Sequence, residues 1–288
     1  MTKTVIIGTN HAGLAAANAI LDNSDQEVVM IERNENFSYL SCGTALWVGK
    51  QIDSVDGLFY TNREDFEAKG AKVRTQTTVE YIDFDEKVVH AETLQDDKIE
   101  ESYDKLVLAT GSIPISPKVP GRELENITFM KKYEEGQNID QMFENESVKN
   151  IAVIGAGYIG VEMAEAAKRR NKNVLLFDAL DRSLPNYYDT WFTDDMDKNL
   201  ADHGIELHYG ELVKEYKGSD KVEQIVTAKG EYDVDLVINA IGFLPNNQLA
   251  KDHLELFANG AYLVDRHQQT SDPDVYAVGD CATVYSNA

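Results

Sequence analysis

The fold of this chain is decided by the stretch Ile151-Ala-Val-Ile-Gly155-Ala-Gly157-Tyr-Ile-Gly160. A short run of mainly β-branched residues ends in a glycine-rich turn, and apolar residues then recur at the spacing of an α-helix. A second apolar run, 174–177, leads to Asp178, which lies 23 residues after Gly155. The pattern predicts a strand, a tight turn, a helix and a second strand with an acidic residue at its end.

A matching stretch lies near the N-terminus, Thr4-Val-Ile-Ile-Gly8-Thr-Asn10-His11-Ala-Gly13, and its acidic residue, Glu32, follows Gly8 by 24 residues. In such a turn the first glycine permits the bend, the second leaves room for a pyrophosphate, and the third lets helix and strand approach. The helix N-terminus attracts phosphate, and the acid accepts hydrogen bonds from a ribose diol. Two copies in register predict an α/β fold with two Rossmann-like dinucleotide-binding domains, in preference to ordinary tight turns.

The first copy departs from the pattern because Asn10 replaces the middle glycine. Asparagine is among the residues that best tolerate a positive φ, so we expect the turn to survive. We also expect the Asn10 side chain to crowd the path of the phosphate.

The composition is acidic, with 27 Lys and Arg against 50 Asp and Glu and a formal charge of −23. A polyanion is repelled by nucleic acid and by anionic membranes, so neither is expected as a partner. Two cysteines exclude a disulfide framework and a four-cysteine zinc cluster. We expect no metal site, no signal peptide, no membrane span and a cytoplasmic location.

Two further motifs complete the pattern, Ala109-Thr-Gly-Ser112 between the two fingerprints and Tyr276-Ala-Val-Gly-Asp280 after them. In this order the chain resembles the FAD-dependent pyridine nucleotide-disulfide oxidoreductase superfamily. The resemblance implies an FAD-binding domain formed by 1–115 and 246–288. It also implies an NAD(H)-binding domain, 116–245, inserted into the FAD-binding domain.

The segment Phe37-Ser-Tyr-Leu-Ser-Cys42-Gly-Thr-Ala-Leu-Trp47 narrows the resemblance. It carries a single cysteine where the dithiol reductases of the superfamily have a pair, and His11 stands in the first glycine turn. These features are similar to the bacterial NADH oxidase and NADH peroxidase group, and Ala45 is more similar to the water-forming oxidases. NADH peroxidase and coenzyme A-disulfide reductase remain alternatives, and so does a nucleotide-binding fragment or redox-responsive binder without turnover.

The residues themselves suggest roles for Cys42 and His11. We expect Ser41 to cap a short helix that begins at Cys42, whose positive end would favour the reactive thiolate. His11 at a helix start favours a neutral imidazole that can shuttle a proton. The alternatives are a buried structural cysteine and a histidine that merely bonds the backbone.

The resemblance implies that NADH donates hydride to FAD, that oxygen is reduced to the peroxide level, and that Cys42 cycles through a sulfenic acid. Hydrogen peroxide is the alternative acceptor. Cys42 and His11 are the implied catalytic residues. The implied FAD contacts are Gly8, Asn10, His11, Ala12, Gly13, Glu32, Cys42, Ala109, Thr110, Gly111, Ser112, Lys131 and Asp280. The implied NAD contacts are Gly155, Gly157, Tyr158, Ile159, Gly160, Glu162, Asp178, Tyr187 and Gly242.

In the resembling family a third domain follows the Asp280 segment and forms a homodimer. We expect the 288-residue chain to lack this domain, and therefore to retain FAD less tightly and to leak peroxide.

Overall fold

The computed structural model describes residues 1–284. The chain forms two compact units that interrupt each other in sequence. Unit 1 consists of Met1–Leu40, Gly57–Ile113 and the residues from Leu244 onward, and unit 2 consists of Ser41–Asp56 and Pro114–Phe243. The last four residues of the predicted range 246–288 lie outside the described residues.

The helices are α1 (His11–Asn23), α2 (Thr44–Val48), α3 (Arg63–Ala68), α4 (Tyr133–Glu144), α5 (Tyr158–Arg169) and α6 (Thr190–Asp202). Short 3-10 turns occupy Ser41–Gly43, Val55–Leu58 and Gly279–Cys281. The strands are β1 (Lys3–Ile7), β2 (Glu27–Ile31), β3 (Lys72–Arg74), β4 (Thr77–Asp83), β5 (Val88–Thr93), β6 (Lys98–Ser102), β7 (Lys105–Leu108), β8 (Ser112–Pro114), β9 (Ile127–Thr128), β10 (Asn150–Ile154), β11 (Asn173–Asp178), β12 (Ile205–Tyr209), β13 (Glu215–Lys217), β14 (Gln224–Val226), β15 (Glu231–Asp233), β16 (Leu236–Asn239), β17 (Phe243–Pro245), β18 (Tyr262–Val264), β19 (Val275–Ala277) and β20 (Ala282–Val284).

Unit 1 is built on a five-stranded parallel sheet in the order β19-β7-β1-β2-β3. The chain runs from β1 outward through β2 to β3 and then returns to the other side of β1. Ligands of such sheets bind at the carboxyl ends of the strands where the order reverses, which here is between β1 and β7. An antiparallel sheet of β4, β5 and β6 completes this unit together with the pair β18 and β20.

Unit 2 repeats the arrangement with a parallel sheet in the order β12-β11-β10-β16-β9. Its order reverses between β10 and β16, and a small antiparallel sheet of β13, β14 and β15 accompanies it. The central strands of both sheets are buried on both faces, as their near-continuous apolar runs predict. The prediction of two Rossmann-like α/β folds is thus confirmed.

The segment 41–56 differs from its predicted place. The predicted bounds assign it to the first domain, but its α2 packs against α4 and α5 and belongs to unit 2. The packing surface of a short helix is a tertiary property that composition and motif spacing do not report.

Within residues 1–284, none of the helices combines the length and the hydropathy that crossing a bilayer requires.

Candidate functional site

Each glycine of the fingerprint in unit 2 has a separate structural reason. Gly155 has φ +104°, and a Cβ added there would lie 2.5 Å from the carbonyl oxygen of Ala240. A Cβ on Gly160 would lie 1.7 Å from the oxygen of Gly155, so the helix and the turn touch at this point. A Cβ on Gly157 meets nothing within 4 Å. The middle glycine therefore borders open space at the N-terminus of α5, and the free backbone N–H groups of a helix N-terminus can bind anions.

Asp178 fastens the strand end to this turn. Its Oδ2 accepts a hydrogen bond of 2.6 Å from the backbone N of Ala156, and its Oδ1 accepts one of 2.8 Å from the backbone N of Leu180. A carboxylate held by two backbone donors is a fixed negative charge beside the turn. It offers acceptor positions to a ribose diol and repels a phosphate.

Unit 1 contains the same arrangement of a glycine turn and a carboxylate that accepts hydrogen bonds from the backbone. Gly8 has φ +106°, and a Cβ there would lie 2.2 Å from the oxygen of Ala109. Glu32 accepts hydrogen bonds from the backbone N of Thr9 at 3.0 Å and from the backbone N of Asn34 at 2.9 Å. Gly13 also approaches the turn, because its Cβ would lie 1.9 Å from the oxygen of Gly8. Both folds thus hold an acid on the backbone of their glycine turn.

Asn10 does not behave as expected. Its φ is −101°, so no positive φ is required at this position, and its side-chain oxygen accepts a 3.1 Å hydrogen bond from the backbone N of His11. The structural analogue in unit 2, Gly157, also has a negative φ of −75°. The backbone conformation of the middle position therefore does not require glycine, and what a glycine provides there is space. In unit 1 the side chain of Asn10 caps α1 instead.

The two other predicted FAD motifs lie beside the turn of unit 1. The hydroxyl of Ser112 donates a 2.7 Å hydrogen bond to Asp280. Gly279, which precedes Asp280, approaches α1 so closely that its Cβ would lie 2.7 Å from the Cβ of Ala12. Thr110 donates to the backbone oxygen of Asn246 at 2.6 Å. Residues far apart in sequence therefore meet at the carboxyl ends of β1 and β7.

Gly111 has φ +68° and borders open space. Gly111 belongs to the motif Ala109-Thr-Gly-Ser112, which follows β7.

An aromatic group stands at the start of α5. The hydroxyl of Tyr158 donates to that of Tyr188 at 3.0 Å, and its ring lies 4.4 Å from the ring of Tyr187. The hydrogen bond with Tyr188 and the loss of solvent raise the pKa of Tyr158. One turn further along α5, partial burial raises the pKa of Glu162. Tyr158 and Tyr187 thus meet as two of the predicted NAD contacts, with Tyr188 as an additional member.

Ile159 is half-buried in the first turn of α5. Gly242 has φ +109° and accepts a backbone hydrogen bond from Ile115 at 2.9 Å. Both belong to unit 2.

His11 is the first residue of α1, as expected, and is exposed. Its Nδ1 lies 3.3 Å from the hydroxyl of Tyr60, and the two rings are parallel with centroids 5.5 Å apart. Burial raises the pKa of the Tyr60 phenol. A protonated phenol can donate a hydrogen bond to Nδ1, and in the tautomer that accepts it Nε2 carries the N–H.

Cys42 is exposed, but its helix differs from the prediction. Ser41–Gly43 forms a 3-10 turn, and α2 begins only at Thr44 with Gly43 as a cap that has no side-chain hydrogen bond. Ser41 instead accepts at its backbone oxygen a 2.8 Å hydrogen bond from the Thr44 hydroxyl. The α-helix thus begins two residues later than predicted, after a 3-10 turn that contains Cys42. The thiol lies just before α2, which has five residues.

Two of the predicted FAD contacts, Cys42 and Lys131, lie in unit 2. The backbone N of Lys131 donates to Glu135 at 2.8 Å, and its ammonium lies 4.7 Å from the centroid of the Phe243 ring. The other predicted FAD contacts lie in unit 1, and all predicted NAD contacts lie in unit 2.

Sequence reasoning did not identify Tyr60 as the partner of His11, Thr9 and Asn34 as donors to Glu32, or Asn246 as the partner of Thr110. Tyr60 lies 49 positions from His11, and no local motif signals such a pairing. Asn34 carried one available signal, because it stands two residues after the acid, where a backbone N–H can return to the carboxylate.

Comparison with known proteins gives a consistent result. The family model described as pyridine nucleotide-disulphide oxidoreductase matches residues 2–288. An NADH oxidase of Lactococcus lactis subsp. cremoris is 63% identical over 99% of this chain and 65% of its own length. An NADH oxidase of Streptococcus pyogenes is 49% identical over 100% of this chain and 66% of its own length.

Among solved structures, a water-forming NADH oxidase from Lactobacillus brevis bound to NADH superposes with a TM-score of 0.94 at 40% identity. The match covers 98% of this chain and 63% of that one. The chain thus spans less than two thirds of the length of the relatives it matches.

Proposed function

The chain belongs to the pyridine nucleotide-disulphide oxidoreductase family, and we propose that it acts as an FAD-dependent NADH oxidase that reduces oxygen to water. The observation that carries this proposal is the pair of matching glycine turns, each with a carboxylate bonded to its backbone. Two such turns provide two dinucleotide sites in one chain. The NADH oxidase relatives favour oxygen as the acceptor.

The FAD site is assigned to unit 1, with the domain bounds predicted above except for segment 41–56. The residues fit the group, because Gly111 borders open space where a larger residue would intrude and Glu32 is held at the strand end. Asp280, fixed by Ser112, stands beside the start of α1 and can accept hydrogen bonds from the polyol chain. When bound, FAD supplies hydride acceptance and electron transfer to a second substrate.

The NADH site is assigned to unit 2. The open space over Gly157 accommodates the pyrophosphate, and Asp178 binds the ribose diol. The charge of Asp178 disfavours the 2′-phosphate of NADPH, so NADH is the preferred reductant. Tyr158 and Tyr187 offer aromatic faces at the helix start.

Cys42 is assigned the second half of the reaction. Its thiolate attacks one oxygen of hydrogen peroxide, the O–O bond breaks, and the sulfur becomes a sulfenic acid while the other oxygen leaves as water after protonation. A second NADH equivalent then reduces the sulfenic acid to thiolate and water. His11, oriented by Tyr60, is assigned the hydrogen bond that Nε2–H donates to the departing oxygen, which takes its proton from solvent.

A cytoplasmic location is part of the proposal, and the two free cysteines support it. The homodimer of the family stays a prediction, which size-exclusion chromatography with light scattering tests.

Anaerobic titration of the purified, FAD-supplemented protein with NADH tests the assignment of the two sites. Bleaching of the flavin absorbance at one NADH per flavin is expected. Absence of any flavin signal after FAD is added would instead favour a binding role without turnover. Parallel assays with oxygen, hydrogen peroxide and coenzyme A disulfide identify the acceptor.

A further inference from the structure

Segment 41–56 is seated closely on unit 2. The ring of Trp47 is stacked on that of Tyr133, with centroids 5.8 Å apart, and Trp47 is buried. A Cβ on Gly49 would lie 3.2 Å from the Cα of Ala166 and 2.9 Å from the oxygen of Ala45. Only glycine lets the end of α2 lie this close to α5 without displacement.

Arg170 fastens the same end of α2. Its Nη1 donates to the backbone oxygen of Val48 at 2.7 Å and to Asp140 at 2.8 Å, and its Nη2 lies 2.7 Å from Glu144. The side chain of Arg170 is only 10% exposed. The last carbonyls of a helix lack partners within the helix, so the guanidinium satisfies one of them. Lys50, just past α2, also reaches Asp140, at 2.9 Å.

A planar guanidinium suits this position because it reaches a carbonyl and two carboxylates at once. The ammonium of lysine is a single point donor on a flexible stem and cannot reproduce this fork, the set of hydrogen bonds that the two Nη atoms donate to one carbonyl and two carboxylates. Hydrogen bonds with charged partners in a mostly buried position are worth more than exposed ones.

We propose that Arg170 is a positioning residue for Cys42, because it holds segment 41–56 against the C-terminal end of α5. The glycine turn assigned to NADH lies at the N-terminal end of the same helix. Helix α5 begins at Tyr158 after the glycine turn and ends at Arg169, next to this contact. The thiol segment and the nucleotide turn are thereby attached to opposite ends of one helix. This inference rests on the proposed role of Cys42 in peroxide reduction.

Misplacing a reacting group by about 1 Å costs roughly a hundredfold in rate. Peroxide that Cys42 no longer reduces would leave the enzyme, so the inference predicts a change of product and not only of stability. The substitution Arg170→Met removes the fork and keeps an aliphatic stem. Its matched control is Arg169→Met, which removes the same charge from an exposed pair with Glu165 on the same helix.

Two readouts are measured on wild type and both variants with bound FAD: the fraction of consumed oxygen that appears as hydrogen peroxide, and backbone hydrogen exchange of the peptide 41–56. In Arg170→Met we expect a peroxide fraction raised roughly tenfold and exchange of this peptide accelerated by about the same factor. The KM for NADH should stay within about twofold, because the turn at the other end of α5 is not altered. Arg170→Lys should fall between Arg170→Met and wild type, and Arg169→Met should match wild type.

Wild-type exchange and wild-type product in Arg170→Met would overturn the inference, as would accelerated exchange with water still the product. Failure of the proposed function has a different signature, in which wild type and Cys42→Ser give the same product. In that case the exchange of peptide 41–56 still decides whether Arg170 holds the segment. If Arg170→Met does not fold, Arg170→Lys provides the same comparison.

Discussion

The hydroxyl of Tyr60 lies 3.3 Å from Nδ1 of His11, and the two rings are parallel within 3°. A phenol with an ordinary pKa of about 10 is protonated at neutral pH, and burial raises the pKa of Tyr60 further, so its hydroxyl can act as the donor. The contact selects the tautomer of His11 and the direction in which Nε2 points.

The first prediction concerns this contact. Tyr60→Phe keeps the stacked ring and removes the donor, so His11 loses its fixed tautomer. A hydrogen bond of about 1 kcal/mol corresponds to roughly a fivefold loss of kcat for oxygen reduction. Stopped-flow and steady-state oxygen consumption measure the effect. Tyr81→Phe is the control, because Tyr81 also stacks on a histidine of unit 1, His90, with centroids 4.2 Å apart. Equal rates for the two variants would argue against a role of Tyr60.

The second prediction separates the two kinds of glycine in one turn. Gly155→Ala places a Cβ 2.5 Å from a backbone oxygen at a positive φ, so we expect a loss of about 1–3 kcal/mol in the free energy of unfolding. Gly157→Ala places a Cβ in open space at a negative φ, so stability should be unchanged while NADH binds at least tenfold more weakly. Urea unfolding and anaerobic NADH titration measure both. Normal NADH affinity in Gly157→Ala would contradict the assignment of the pyrophosphate position.

The third prediction concerns the choice of reductant. Asp178→Ala removes the charge and both backbone hydrogen bonds. Hydrogen bonds to charged groups contribute about 1.5–3 kcal/mol. Loss of those between the ribose diol of NADH and the Asp178 carboxylate should therefore lower kcat/KM for NADH roughly tenfold or more. The preference for NADH over NADPH should narrow, since the repulsion of a 2′-phosphate is gone. Asp195→Ala, an exposed change on α6, is the control. An unchanged NADH to NADPH ratio would show that Asp178 does not set the preference.

The fourth prediction concerns pH and stability. Hydrogen bonds from Lys105 and Lys87 lower the pKa of Asp274 to about 2. A carboxyl whose pKa is lower in the folded protein stabilises it above the unfolded pKa, near 3.9, and this stabilisation is lost as the pH falls toward 2. Asp274→Asn should therefore be less stable than wild type at pH 7, with a difference that shrinks between pH 4 and 2. Urea midpoints across this range test it, and a pH-independent difference would contradict the ion-pair interpretation.

Much of the fold could be predicted because its signals are local. Gly8 and Gly155 stand in turns that need a positive φ, and each is followed by a helical pattern and then by an acid at a strand end. The capped helix α3 was likewise predictable, because Asn62 and Asp65 form a capping box. Parallel strands buried on both faces produce the apolar runs by which they are identified.

The remaining features depend on contacts between distant residues. Segment 41–56 joins unit 2 through the fork of Arg170 and the close approach at Gly49. The expectation for Asn10 was wrong because the middle position of the turn is the N-cap of the helix and has a negative φ in both units, with Asn10 and with Gly157. The helix start at Thr44 was missed because a 3-10 turn at Ser41–Gly43 precedes the α-helix, and the local sequence does not distinguish the two helix types. These features depend on three-dimensional geometry that a single sequence does not reveal.

The central claim is that Cys42 completes the reduction of oxygen to water, and the ratio of NADH oxidised to oxygen consumed tests it most directly. Wild type with bound FAD should oxidise nearly two NADH for each oxygen and release only a small fraction of that oxygen as leaked hydrogen peroxide. Cys42→Ser should oxidise one NADH for each oxygen and release one hydrogen peroxide. The control, Cys281→Ser, alters a buried thiol that donates to the backbone oxygen of Leu108 and should match wild type. A ratio of two with no peroxide in Cys42→Ser would contradict the account.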